Sequence, residues 1–567
     1  MEARSIPDQR RSGALIVVAM STIALVCRVL IATRGGFWRD EALSLFIVKL
    51  PSWQAMLDFL RYHESHPPLY YALMRIWISV FGDSDARSVV LPIAFGVALV
   101  VVTYLVGKSL FSTRIGLLAA TFVALSPALI EYSAVARPYS VLPVLCLVST
   151  WSLIRGLEGG GIRTWTAHAM STAALLYTHN WGWFIALGQW VAVLVITLFV
   201  RPRLGAGILE RWVLAQGAIA LAYLPWVPTL LYQLRHAGHP PSLLHLQYGF
   251  AASLGTSARE LLEATLVGYS PLDSRSTHSG MQLFFALPLL LITADQYLRT
   301  RSSARGGAAA NAMNAQLSLK SDKRIALACL LLVPAIAWLG ALILSRTSNV
   351  MLPRCLVMLA PLLLLALAYL VDYQRQGTNA LLNRAVVGSI VLTFATSIYF
   401  ISRTTKSNAR ELASTVAGQT RPSDLVVVAP EWIASSFNRY YAPGVEQIDY
   451  PHIGREGAVD FSRMLQRLED DGAATRAQQQ ISEARRAGNR VWLVADRDKL
   501  LNLSQTDIRE LMTSGNYLLV ATARTAQIRA LLDSSYGPAD TTVFAQDATP
   551  RYENIRALLY APRENGK

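Results

Sequence analysis

Cysteine is rare in this chain. Only four occur in 567 residues, Cys27, Cys146, Cys329 and Cys355, each in or beside an apolar run and none in a C-x-x-C pair. That excludes a disulfide framework and a C-x-x-C metal site, and leaves the four as small core residues. Charge is largely missing from the middle of the long apolar runs. A transporter or proton pump tends to hold ionisable groups near the bilayer midplane, so this scarcity speaks against one. No internal repeat is present. Beyond residue 403 there is neither a G-x-G-x-x-G after a strand-like run nor a G-x-x-x-x-G-K-[ST], so nothing there points to nucleotide binding.

What is present is apolar sequence. Hydrophobic residues make up 53% of the chain and the mean hydropathy is +0.34. Many runs approach the roughly 20 residues needed to cross a bilayer. Their pattern predicts about eleven spans, near 14–33, 88–107, 115–130, 139–154, 165–180, 182–200, 211–231, 280–298, 325–345, 355–373 and 385–402. The first, GALIVVAMSTIALVCRVLIA, holds a single charge in 20 residues. It is longer than a signal-peptide core and lacks a small-residue cleavage site, so it reads as a retained helix.

The net charge of +15 lies wholly in residues 1–403, because residues 404–567 hold 20 Lys+Arg and 20 Asp+Glu. With the N-terminus inside, the cytoplasmic connections carry Lys108, Arg114, Arg155, Arg163, Arg201, Arg203, Arg211, Arg299 to Arg324, Arg375 and Arg384. That is the positive-inside pattern. The basic excess therefore reads as topology and not as a nucleic-acid surface. An odd span count then places residues 404–567 outside, in the periplasm of a Gram-negative cell.

Two outer loops are long, 34–87 and 232–279. The first contains short amphipathic pieces expected to lie on the outer membrane surface. The second contains His236, His239, His245 and His278 without close metal-ligand spacing. Residues 300–323 are small and polar, as in a flexible connection. In the tail, DLVVVAP, VWLVA, YLLVATA and RALLYAP read as strands. DFSRMLQRLEDDGAATRAQQQISEARRAG and QTDIRELMTSG read as helices, which together predict a small soluble α/β domain.

On this topology the outer span ends collect the polar residues: Asp40 and Glu41 in FWRDEALSLF, Glu64 and His66, Glu131, Arg137 and Tyr139 in SPALIEYSAVARPYS, His179 in LLYTHNWGWF, and Arg346 and Arg354. Each has an ordinary explanation. Acids favour a helix N-terminus, and arginines at span ends reach for headgroups. His-Pro-Pro starts a helix, and Trp181, Trp183 and Phe184 suit an interfacial belt. Convergence of acids, arginines and a histidine from four segments on one face favours a site acting on a lipid headgroup.

FWRDEALS, ESHPPLYYALMRIWISVFGDSDARSVV and LFSTRIGLLAATFVALSPALIEYSAVARPYSVL, in that order over residues 36–145, resemble the family 39-type glycosyltransferases. These include the protein O-mannosyltransferases and the lipid A aminoarabinose transferases of the GT-C superfamily. The resemblance is weaker over YTHNWGWF and MLPRCLVMLAPLLLLAL and does not extend into the tail. It implies a polytopic α-helical enzyme of the inner membrane that moves a sugar from a polyprenyl-phosphate carrier to a lipid, glycan or protein acceptor. Asp40 then matches the general base, and Glu41 completes its acidic pair. Arg137 and Arg354 match the carrier-phosphate ligands, although relatives often carry Arg-Tyr where this chain has Arg354–Cys355.

Some relatives bind a divalent metal (Mg, Mn or Zn) through a carboxylate just before the Pro-Pro step. Here Ser65–His66 hold that place and Glu64 stands one position further back, so the resemblance leaves metal use open with Glu64 as the candidate ligand. His66, Tyr139 and His179 are the candidate substrate contacts.

The chemistry agrees with the resemblance. A sugar phosphodiester expels a weakly basic phosphate, so no general acid is required, while the acceptor hydroxyl needs one carboxylate base. Glycosidases instead need a pair of carboxylates. An oligosaccharide ligase or polymerase of related architecture, and a lipid-linked sugar flippase, are the alternatives.

Overall fold

The computed structural model describes residues 6–200, 205–236, 261, 321–345, 352–375, 380–442, 444–451, 464–543 and 550–562. In chain order the helices before residue 240 are α1 (Ile6–Ala32), α2 (Arg39–Val48), α3 (Trp53–Tyr62), α4 (Leu69–Phe81), α5 (Asp85–Ser88), α6 (Val90–Leu110), α7 (Thr113–Leu125), α8 (Pro127–Ser133), α9 (Val141–Leu157), α10 (Ile162–Thr178), α11 (Gly182–Val195), α12 (Ala206–Tyr223) and α13 (Val227–His236). After the undescribed stretch come α14 (Ser321–Leu344), α15 (Pro353–Leu356), α16 (Ala360–Arg375) and α17 (Ala380–Arg403). The chain forms two compact units, one made of residues 1–32, 89–225 and 241–402, the other of 33–88, 226–240 and 403–567.

The first unit is helical. Among the described residues eight helices are long and apolar enough to cross a membrane, and the pair α7–α8 passes as a ninth although bent by 57°. The expected run at 165–180 is α10, of 17 residues. The expected run at 280–298 and the connection 300–320 lie outside the described residues. The bend within 115–130 has a local cause. Ser126 is extended ahead of Pro127, a conformation proline imposes on its predecessor, and its hydroxyl caps the new helix at Leu129 N–H.

Two polar features lie among these helices. Arg28, the single charge in the first apolar run, is fully buried and donates from Nε to Ser133 Oγ at 2.7 Å and from Nη1 to Ala24 O at 3.0 Å. Gly96 makes room for it, since a Cβ there would lie 2.6 Å from Arg28 Nε. Elsewhere in the bundle, Ser149 bonds Thr172 at 2.6 Å and accepts from Gln189 Nε2 at 2.8 Å, while its carbonyl meets His168 Nδ1 at 3.2 Å. Three helices are thereby tied by side chains whose alternative in hydrocarbon is an unsatisfied polar group.

The second unit carries β1 (Thr405–Ser407), α18 (Ala409–Gln419), β2 (Leu425–Ala429), α19 (Ala434–Asn438), β3 (Glu446–Asp449), α20 (Met464–Glu469), α21 (Asp471–Arg486), β4 (Val491–Asp496), α22 (Gln505–Met512), α23 (Tyr517–Tyr536), β5 (Thr541–Val543), β6 (Pro550–Glu553) and β7 (Ile555–Tyr560). Five strands make a mixed sheet in the order β3-β2-β4-β7-β5, with β3, β2 and β4 parallel and β7 antiparallel to its neighbours. Separately, β1 pairs in parallel with β6. Val426, Val428, Trp492 and Val494 face one hydrophobic layer, and Val427, Val491, Leu493 and Ala495 face the other. Burial on both faces explains why β2 and β4 read as unbroken apolar runs.

DLVVVAP, VWLVA and RALLYAP are strands as the pattern predicts. YLLVATA is not. It opens the 20-residue helix α23, in which Val520 to Ala526 are all buried. A segment wrapped on most sides loses the polar positions that would reveal its period, so a short apolar run from it looks like a strand. The expected long helix over 460–488 is interrupted at Asp470, which caps α21 by accepting from Gly472 N–H at 2.9 Å.

Residues 33–88 share this second unit with the tail. Helix α2 packs against α4 and α19, and α3 packs against α13. Gln233 of α13 donates from Nε2 to Leu60 O at 2.9 Å and to Glu64 O at 2.8 Å.

Candidate functional site

In the second unit, FWRDEALSLF forms the start of α2. Trp38 is its extended N-cap residue and supplies no side-chain cap, and Asp40 and Glu41 stand in the first turn, where acids favour the helix dipole. Glu41 reaches back to Trp38 N–H at 3.4 Å through Oε2. Its Oε1 accepts from Lys406 Nζ of β1 at 2.9 Å, and both side chains are fully buried. Asp40 keeps 16% side-chain exposure, with Arg39 Nε at 3.8 Å from its Oδ1. The Arg39 guanidinium lies over the Trp38 and Trp432 rings at 6.0 and 5.8 Å.

Arg39 also exerts its charge on two carboxylates of the sheet end, Glu553 and Asp496. Burial pushes the Glu553 carboxyl up to about 7, against the pull of Arg39 and of hydrogen bonds from Ser436 and Ser407. Burial raises Asp496 as well, with Arg39 again opposing. Sequence reading missed Lys406, Glu553 and Asp496, because only the tertiary fold brings residues several hundred positions apart to the turn at 38–41.

Glu64 and His66 meet directly, His66 Nδ1 lying 2.5 Å from Glu64 Oε1, which also accepts from Ser65 N–H at 2.9 Å. Two such donors are short of a metal site. Among the described residues no group of three His, Cys, Asp or Glu side chains could hold a metal ion. His239, His245 and His278 lie outside the described residues, as does the side chain of His236.

In the first unit, Arg137 is buried and extended, as the residue before Pro138 must be, and it introduces the short turn Pro138–Ser140 ahead of α9. His179 ends α10 in an extended conformation and its Nδ1 accepts from Trp181 N–H at 3.1 Å. That places the ring proton on Nε2, which faces Cys355 Sγ at 4.0 Å. Tyr139 stands between the Tyr132 ring, 5.7 Å away edge-on, and the His179 ring at 6.4 Å. The guanidinium groups of Arg137 and Arg354 both act electrostatically on Cys355. The fold thus gathers four sequence candidates, Arg137, Tyr139, His179 and Arg354, and adds Tyr132 and Cys355. Arg346 lies outside the described residues.

Residues 65–232 match the family model described as dolichyl-phosphate-mannose-protein mannosyltransferase. None of the curated protein sequences matches the chain. Among solved structures, the chain is similar to ArnT from Cupriavidus metallidurans bound to undecaprenyl phosphate, with 12% identity, a TM-score of 0.51, and 96% of this chain and 97% of that one covered. It is similar to the oligosaccharyltransferase AglB from Archaeoglobus fulgidus, in complex with an inhibitory peptide and a dolichol-phosphate, with 13% identity, a TM-score of 0.51, and 90% of this chain and 72% of that one covered. At these identities the likeness to solved structures is one of fold. In its N-terminal sequence and in its fold, this polytopic membrane protein resembles the family 39-type glycosyltransferases of the GT-C superfamily.

Proposed function

We propose that this protein is an inverting glycosyltransferase that moves a sugar from a polyprenyl-phosphate carrier to an acceptor hydroxyl. The reaction runs at the outer face of the bacterial cytoplasmic membrane, with the N-terminus cytoplasmic and the domain 404–567 periplasmic. The observation that carries the reading is the cluster of Arg137, Arg354, His179 and Tyr139 in a helical unit of this fold. A guanidinium pair suits a phosphodiester headgroup, because each fork can take two phosphate oxygens.

In the proposed step the acceptor O–H loses its proton to Asp40 as its oxygen bonds to the anomeric carbon. The bond from that carbon to the phosphate oxygen breaks, and polyprenyl phosphate leaves with the electron pair. Arg137 and Arg354 hold the phosphate before and after departure, so its growing charge meets fixed cations. Tyr139, His179 and His66 serve as substrate contacts. Glu41 is a positioning residue, since its carboxylate is engaged with Lys406.

The fold is equally similar to ArnT and to an oligosaccharyltransferase, both at a TM-score of 0.51. A lipid-linked oligosaccharide donor is accordingly a second reading. The deciding measurement is release of undecaprenyl phosphate by the purified protein in lipid, given a panel of undecaprenyl-phospho-sugars and lipid-linked oligosaccharides with a membrane extract as acceptor source. Release with one donor class is expected, and Asp40→Asn should lower it by roughly 10²–10⁴-fold while donor binding persists. Undiminished turnover by Asp40→Asn would refute the base. Headgroup translocation in vesicles without any release would replace the transferase with a flippase.

A further inference from the structure

We infer that the tail domain is a positioning part of the catalytic machinery, acting through Lys406 on the turn that carries Asp40. The inference rests on the proposed role of Asp40 as base. It concerns what aims that carboxylate, which neither the motif nor the fold similarity addresses.

Residues 36–41 are gripped almost one by one from the tail. Gly36 N–H donates to Ser407 O at 3.1 Å, and Phe37 N–H donates to Tyr440 Oη at 2.8 Å. The Trp38 ring stacks on Tyr552 at 4.8 Å, and Arg39 O accepts from Ser435 Oγ at 3.3 Å. Glu41 takes the Lys406 ammonium, which also lies 4.8 Å from the centre of the Phe37 ring. Gly35 has φ +76°, and a Cβ there would stand 2.7 Å from Ser407 O, so the chain runs against β1 with no space to spare. On the far side of the loop, Asp85 accepts from Arg439 Nε at 2.7 Å and from Arg410 and Tyr440, the tyrosine that holds Phe37.

Asp40 sits one residue from Glu41, in the first turn of a ten-residue helix whose N-cap supplies no side-chain bond. A helix this short has little rigidity of its own. Its start is held by contacts from the tail, among them the Arg439 guanidinium 5.0 Å from the Phe37 ring and the Lys406 ammonium, which forms a buried ion pair with Glu41. A buried ammonium and carboxylate 2.9 Å apart favour one geometry, because drawing them apart in a dry site loses attraction that water does not replace. A displacement of about 1 Å in a catalytic group costs on the order of 10²-fold in rate.

The experiment uses the full-length protein in lipid and compares Lys406→Met, Asp40→Asn and the double variant. Lys406→Met is expected to lower kcat by roughly 10²-fold with the donor KM held within about twofold, and to lose hydrogen-exchange protection selectively over residues 36–48. In the Asp40→Asn background the same change should alter the residual rate by less than about twofold, since there is no base left to misplace. An equal loss in both backgrounds, or unchanged protection over 36–48 with kcat near wild type, would overturn the inference. If Lys406→Met does not fold, Glu41→Gln keeps the shape of the site and is judged by the same two readouts. Normal turnover by Asp40→Asn alone would instead strike at the base assignment, while the exchange readout would still report whether Lys406 holds the turn.

Discussion

Glu553 offers a test of the tail's electrostatics that needs no substrate. Its carboxyl is 3% exposed, and burial pushes its pKa from the ordinary 4.5 to about 7. The folded state therefore favours the protonated form. Stability is full below about pH 4.5, falls as pH rises toward 7, and is level above that, because the unfolded chain releases this proton first. At about 1.4 kcal/mol per pH unit, the gap comes to about 3 kcal/mol. Glu553→Gln stays neutral at every pH and so lacks this loss. For a unit of roughly 240 residues, about 2–4 °C of Tm per kcal/mol gives a variant melting roughly 6–12 °C above wild type at pH 8, with the difference closing toward pH 5. The assay is thermal melting of the purified protein in lipid by tryptophan fluorescence at four pH values. Asp496 and Arg39 act on Glu553, and Asp496 is itself raised, so the same pair of proteins is also melted in an Asp496→Asn background, which separates position 553 from its neighbour. Melting curves that stay parallel from pH 5 to 8 would refute the reasoning.

Other expectations concern the helical unit. Gly96→Ala places a methyl 2.6 Å from Arg28 Nε and from Ser133 Cβ, so α1, α6 and α8 must move apart. A loss of about 1–3 kcal/mol is expected, read as a lower melting temperature. Gln189→Leu removes the donor to Ser149 between α11 and α9 and should cost about 0.6–1.7 kcal/mol in the same assay. Unchanged melting of that variant would mean that Ser149 and Thr172 suffice without it.

Much of the architecture was readable from residue order because the bilayer imposes a length and a composition on whatever crosses it. Ten of the expected runs correspond to described helices, one of them α10 and one the bent pair α7–α8. The bend itself was written in Ser126–Pro127, a local rule needing no partner. In the tail, β2 and β4 announced themselves as apolar runs of strand length, whereas α23 did not, because enclosure had removed its period. The cationic cluster was half legible. Arg137, Tyr139, His179 and Arg354 could be named from motif and position, but the Cys355 thiol facing His179 Nε2 is a product of packing.

Sequence alone determined that this protein is a multispan membrane protein whose tail mixes strands and helices, and that a carboxylate follows the first span. Those properties depend on hydropathy and spacing, which are sums over neighbours. Only the tertiary structure decided what holds that carboxylate. Lys406 lies 365 positions from Glu41, and Glu553 lies 146 from Ser407. No local pattern marks either pair, since a polar contact gains its meaning from burial, and burial is settled by the whole fold.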